Sequence, residues 1–223
     1  MRLLTALCVG LVAAAISGWP ARAQDTDDWL TLYAVNIYRT GHKAPFGTGV
    51  YLGNGVVLTA AHVSGLALWR WPLVGIAGLE LPTTIIKDGH FHRADLELLG
   101  IDERQLPVSL ALRRMPLCQE PASPGQPVIV ATPKGVTRSR VVPPDDLKSR
   151  VPPRYRSAIV FVPGSGNSGS GVFAANKKCL LGLVTRRIMG GNGDDDEKKA
   201  PIIAKYFIPA SEIAAFIPPS VKF

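Results

Sequence analysis

The sequence predicts an all-β fold, a barrel or a sandwich, with one short helix at its end. Three observations carry this. The apolar segments are short and rich in Val, Ile, Leu and Thr, which suit a pleated, half-buried surface. Glycine and proline, 22 and 19 of 223 residues, recur between those segments as turn formers. The one convincing helix signal is terminal, where Pro209-Ala210-Ser211 offers a cap for a helix over Glu212–Ile217.

Taken in order, Trp29–Tyr38 reads as the first strand. Gly47–Leu52 and Val56–Thr59 flank Gly53-Asn54-Gly55 and read as a hairpin, because Asn and Gly tolerate the positive φ of a tight turn. Leu79–Ile86, Ala94–Leu99, Pro127–Ala131, Ser157–Val162, Gly171–Ala174, Leu180–Thr185 and Ile202–Phe207 read as further strands bounded by turn residues. There is no internal repeat. The polar run Gly190–Lys199 reads as a solvated loop, and its three aspartates lack the spacing of a Ca²⁺ loop.

The ends and the charge bound the location. Met1-Arg2, an apolar stretch Leu3–Ile16 broken only by Thr5 and Gly10, and Ala21-Arg22-Ala23 have the layout of a secretory signal cleaved after Ala23. The apolar run is too short to span a bilayer, so no stable membrane anchor is expected. Cys8 lacks the small residues that precede a lipidated cysteine. A secreted or periplasmic mature chain, residues 24–223, is expected. Loss of Arg2 and Arg22 lowers the formal charge from +8 to +6. The remaining basic residues are scattered, so a nucleic-acid surface is not expected. Cys118 and Cys179 are the cysteines of the mature chain, and an oxidising compartment would join them. Neither has a metal-ligand spacing, and no cofactor is expected. Nothing in the sequence defines an oligomeric state.

Two distant segments suggest nucleophilic chemistry. Leu58-Thr59-Ala60-Ala61-His62 places a histidine after an apolar run. Gly166-Asn167-Ser168-Gly169-Ser170-Gly171 places a serine in a glycine-rich turn. A serine hydroxyl is a poor nucleophile until a base takes its proton and N–H donors hold the oxyanion. His62 suits the base. An acid that holds the histidine in the correct tautomer completes the set. Asp95 is favoured because it opens Asp95-Leu96-Glu97-Leu98, whose alternation is that of a strand with one face turned inward. Asp88 and Asp102 read as exposed loop acids, and His90 and His92 as surface histidines. Ser165 and Ser170 are the rival hydroxyls. The order His62, Asp95, Ser168 is that of the chymotrypsin-like scaffold, not of the subtilisin or α/β-hydrolase scaffolds.

Thr59-Ala60-Ala61-His62, Ala94-Asp95-Leu96 and Gly166-Asn167-Ser168-Gly169 resemble the three signature blocks of the trypsin-like serine peptidases. The bacterial secreted branch, with the V8-like glutamyl endopeptidases and the HtrA protease domain, is the most similar. Gly47-Thr48-Gly49-Val50 and Tyr206-Phe207-Ile208-Pro209 fit as well. The resemblance spans most of residues 30–217. It implies two packed six-stranded antiparallel β-barrels, meeting near 110–125, with the active site between them. It implies hydrolysis of protein or peptide substrates, with Ser168 as nucleophile, His62 as general base and acid, and Asp95 as orienting carboxylate. Backbone N–H groups of Gly166 and Ser168 would form the oxyanion hole. The primary pocket would be lined by Val162 and Pro163 on one side and Thr185, Arg186 and Arg187 on the other.

The departures are informative. Asn167 stands where animal relatives carry the aspartate that pairs with a freed N-terminus, so that activation route is not expected. Gly171 stands where many relatives have proline. No aspartate lies at the pocket base, so a preference for Lys or Arg is not implied. Val184 stands where V8-like enzymes place a glutamate-binding histidine, so their route to glutamyl specificity is missing. Val162 suggests an apolar or small residue before the scissile bond. Two other readings use the same cleft: a silent relative that binds a peptide or partner, and an esterase.

Overall fold

Alternating apolar residues along short segments assemble two antiparallel sheets. The computed structural model describes residues 27–65, 71–143, 146, 157–164, 166–190 and 201–223. The expected signal segment, Ser165 and the aspartates of the 190–199 loop lie outside the described residues.

In the first half the chain folds back before it extends. Asp28–Tyr33 is a 3-10 helix, and only Ala34–Tyr38 is the strand β1. The Thr31 hydroxyl donates to the Asp28 carbonyl at 2.6 Å, offering this segment a local partner in place of a sheet ladder. Strands β2 (Gly47–Gly53) and β3 (Val56–Thr59) form the expected hairpin. Asn54 and Gly55 take φ of 48° and 73° at its tip, the left-handed pair that such a turn requires. Strands β4 (Leu73–Ile76), β5 (Leu79–Pro82), β6 (Thr84–Asp88) and β7 (Glu97–Gly100) follow. The single strand expected over Leu79–Ile86 is thus two, parted at Thr83, whose buried hydroxyl donates to the Pro72 carbonyl at 2.7 Å. The sheet order is β5-β4-β1-β2-β3-β7-β6. This half is therefore a curled seven-stranded sheet where the resemblance implied a closed six-stranded barrel.

The second half is a closed barrel of six strands in the order β10-β13-β12-β11-β8-β9. These are β8 (Pro127–Thr132), β9 (Gly135–Val142), β10 (Ala158–Val160), β11 (Gly171–Ala174), β12 (Leu180–Met189) and β13 (Ile202–Pro209). Ile129, Phe173, Leu183 and Tyr206 of this barrel share one core with Val35, Val50 and Leu58 of the first half. The Cys118–Cys179 disulfide is present, with Cα atoms 5.1 Å apart, and ties the segment between the halves to the start of β12.

Among the described residues three short α-helices complete the fold: α1 (Ala61–Ser64), α2 (Val108–Ala111) and α3 (Ala210–Phe216). The terminal helix begins directly after Pro209 without a side-chain cap, so Ser211 lies inside it. Its Ile213 and Phe216 enter the shared core. Lys87 of β6 donates to the Phe216 carbonyl at 2.6 Å and lies over the Phe216 ring, fastening α3 to the first half.

Candidate active site

The site begins where β3 ends. Its apolar residues bury the strand, and helix α1 carries His62 away from it. The Ala61 N–H donates to the Asp95 carbonyl at 3.2 Å, and the His62 N–H to Asp95 Oδ1 at 3.2 Å. His62 Nδ1 lies 3.0 Å from both Asp95 oxygens. A carboxylate only accepts, so Nδ1 carries the hydrogen and Nε2 is left with the lone pair. Asp95 is buried and has φ of 52° at the end of the helical turn His90–Ala94. Asp is one of the few side chains that visits this conformation readily. The rival acids are engaged elsewhere. Asp88 accepts from the His90 N–H at 2.7 Å, and Arg104 holds the Asp102 carboxyl down to about 2. His90 and His92 are exposed, as expected.

Bonds between the halves seat the backbone of Ser168 against β2. The Thr48 N–H of β2 donates to the Ser168 carbonyl at 3.0 Å, and the Thr48 hydroxyl does so at 3.2 Å. The Gly169 N–H donates to the Val184 carbonyl at 2.7 Å. The backbone of Gly47 has no room for a Cβ, because Val63, next to His62, and the Ser168 carbonyl flank it at 2.7 and 2.9 Å. Ser170 is fully buried, bonded to the Thr48 hydroxyl at 2.9 Å and accepting from the Asn167 N–H at 3.0 Å. It braces the loop and is not available to a substrate. The Ser168 hydroxyl donates to the Thr185 carbonyl at 2.8 Å, and among the described residues it makes no hydrogen bond to His62. The Gly166 N–H donates to the Gly164 carbonyl at 2.6 Å. Both groups expected to act on a substrate are thus held by the protein's own carbonyls.

Of the expected pocket residues, Thr185 is buried, Val162 and Arg186 are half-buried, and Pro163 and Arg187 are exposed. Residues beyond the sequence expectation join them. Arg39 donates to the carbonyls of His62 and Val63 and so clamps α1. Phe91 meets the His62 ring edge-on at 5.7 Å, and the Arg186 guanidinium lies 4.7 Å from the centre of the Phe91 ring. Lys205 of β13 is buried, and its ammonium donates to the Gly166 carbonyl. Burial, and then the charge of Arg187, push the Lys205 pKa down. A lone lysine inside the apolar run Ile202–Phe207 was the available sign of this residue. Among the described residues no cluster of three or more His, Cys, Asp or Glu could hold a metal ion.

This architecture is that of the trypsin-like, or chymotrypsin, fold. No protein-family model matches the chain, and no curated protein sequence matches it. Solved structures do match. The active form of the Rv3671c protease from M. tuberculosis superposes with a TM-score of 0.59 at 20% identity, covering 96% of this chain and 92% of that one. Kallikrein-related peptidase 10 gives 0.57 at 18% identity, over 82% of this chain and 91% of that one. The MamO protease domain from Magnetospirillum magneticum gives 0.55 at 18%, over 85% and 97%. The inactive form of the Rv3671c protease gives 0.56, so the shared fold does not distinguish active from inactive forms. At these identities the likeness is one of fold.

Proposed function

We infer that the chain is a serine endopeptidase acting outside the cytoplasm. The observation that carries this reading is the His62–Asp95 pair at 3.0 Å, set one strand away from a serine in a glycine-rich turn. Ser168 attacks the scissile carbonyl. His62 Nε2 takes the hydroxyl proton and then delivers it to the leaving amine, while Asp95 holds the imidazole. The N–H groups of Ser168 and Gly166 receive the oxyanion, each such donor supplying about 3 kcal/mol. Catalysis requires the Ser168 hydroxyl to turn from Thr185 to His62 and the Gly166 N–H to leave Gly164. Export suits the disulfide. Among the described residues, no helix is long and apolar enough to cross a membrane. Residues 24–223 form the catalytic domain in this reading.

The engaged Ser168 hydroxyl and Gly166 N–H favour a second reading, a relative that binds peptides without turnover. A fluorophosphonate probe separates the two. The purified protein is expected to label at Ser168, and Ser168→Ala and His62→Ala to abolish labelling. Strong labelling of the Ser168→Ala protein would defeat the assignment. An unlabelled, folded wild type would favour the silent relative. Casein or peptide turnover distinguishes a peptidase from an esterase.

A further inference from the structure

Among the described residues two acids are buried, Asp95 and Glu97. Both address α1, the single turn that carries His62. Asp95 does so through its carboxylate, which accepts from the His62 N–H at 3.2 Å and lies 3.0 Å from Nδ1. Glu97 does so through the buried hydroxyl of Ser64, two residues past His62. The residues paired with Glu97 across the sheet offer it no donor. Thr59 of β3 commits its hydroxyl to the Thr48 carbonyl at 2.7 Å. Asp88 of β6 is a like charge, and it lies 3.3 Å from His90 Nδ1. Lys87, the cation beside Asp88, donates to the Phe216 carbonyl instead.

The Ser64 hydroxyl has one hydrogen and two acceptors in reach, the Ala61 carbonyl at 3.0 Å and the Glu97 carboxyl. The Ala61 carbonyl and the His62 N–H belong to one rigid peptide plane. Ser64 grips one edge of that plane and Asp95 the other. While Glu97 carries a proton, it donates to Ser64 Oγ, and Ser64 keeps its own hydrogen on Ala61. Once Glu97 releases that proton to water, its charge outcompetes the neutral carbonyl for the Ser64 hydrogen. The Ala61 carbonyl then keeps the Gly65 N–H alone, and the imidazole is held less firmly. We propose that protonated Glu97 is a positioning residue for His62, acting through the Ser64 hydroxyl on the Ala61–His62 peptide. Its ionisation therefore slows the chemistry at Ser168 from the alkaline side. That consequence rests on the peptidase reading, whereas the coupling of Glu97 to α1 does not.

The coupling is read by NMR in the His62→Gln protein, where no imidazole titrates at this position. The Ala61 carbonyl and Gly65 amide shifts are expected to move together as the pH is raised, with a midpoint near about 7, where burial places the Glu97 carboxyl. Glu97→Gln, whose amide donates as the protonated acid does, should abolish the movement. Ser64→Ala should abolish it from the other side of the same contact. A transition that survives either change, or none in the folded His62→Gln protein, overturns the proposal. Fluorophosphonate labelling of Ser168 supplies the kinetic arm. Wild type and Glu97→Gln are expected to label equally at about pH 6, and wild type to fall about threefold behind at about pH 8.5. Equal rates at both pH values overturn the positioning role. A titrating Ala61 carbonyl in a protein that never labels upholds the coupling and defeats the peptidase reading.

Discussion

Glu97 lies two residues beyond Asp95, whose carboxylate is bonded to His62, at 1% exposure, opposite Thr59 of β3 and Asp88 of β6. Its Oε2 has no hydrogen-bond partner among the described residues. Burial pushes its pKa up to about 7, against a pull from the Ser64 hydroxyl and with a further push from Asp88. The folded state therefore holds a proton that the unfolded chain has released by about pH 5. The stability that this proton supplies is complete below the unfolded pKa and is lost as pH rises through about 7. Urea unfolding is expected to show stability falling between pH 5 and 8 by up to about 3 kcal/mol. Glu97→Gln, which cannot ionise, should remove this component, and an unchanged pH slope in that variant would refute the account. At this scale the contact between His62 and Asp95 was legible, because each sits in a short segment whose neighbours announce its local geometry. The contacts of Phe91 with His62 and of Lys205 with Gly166 were not legible, because each forms only when the fold brings two distant segments together.

The serine loop is positioned as an element by its fit against β2. Gly169 has φ of 89°, and a Cβ there would lie 1.7 Å from the Thr48 carbonyl. Thr48 is the residue whose N–H and hydroxyl hold the Ser168 carbonyl, and the Thr59 hydroxyl in turn fixes the Thr48 carbonyl at 2.7 Å. Gly169→Ala must move the strand or the loop, and it adopts a conformation strained for alanine. The expected result is a loss of at least about 3 kcal/mol in chemical denaturation, together with loss of probe labelling at Ser168. A variant within about 0.5 kcal/mol of wild type would show that the contact is not tight. Strand existence was legible where β-branched residues cluster after a glycine turn, as in Val56–Thr59, which is β3. It was not legible in β9, whose Gly-Val-Thr-Arg-Ser-Arg-Val-Val turns polar and charged residues outward along an exposed face. Nor did the sequence reveal the split between β5 and β6, which depends on Thr83 finding a carbonyl on the segment before β4.

The halves of the molecule are bound together by a shared core, by α3 and by the bonds from β2 to the serine loop, so the site depends on the stability of the whole. The Cys118–Cys179 bond acts on that same scale. It spans a sequence separation of 61 residues, including β8 to β11, which make up four of the six barrel strands. Cross-linking a loop of that length removes enough freedom from the unfolded chain to be worth about 4 kcal/mol in the chain-entropy model. The bond can form only where thiols are oxidised, which links stability to the redox state of the surroundings. The Cys118→Ser/Cys179→Ser double variant is therefore expected to fold to the same architecture but to melt about 10 °C lower, given the usual dependence of melting temperature on stability for a domain of this size. Calorimetry of wild type with and without reductant should reproduce the shift, and the double variant should not respond to reductant. Identical melting of oxidised and reduced wild type would show that the barrel does not draw its stability from this cross-link.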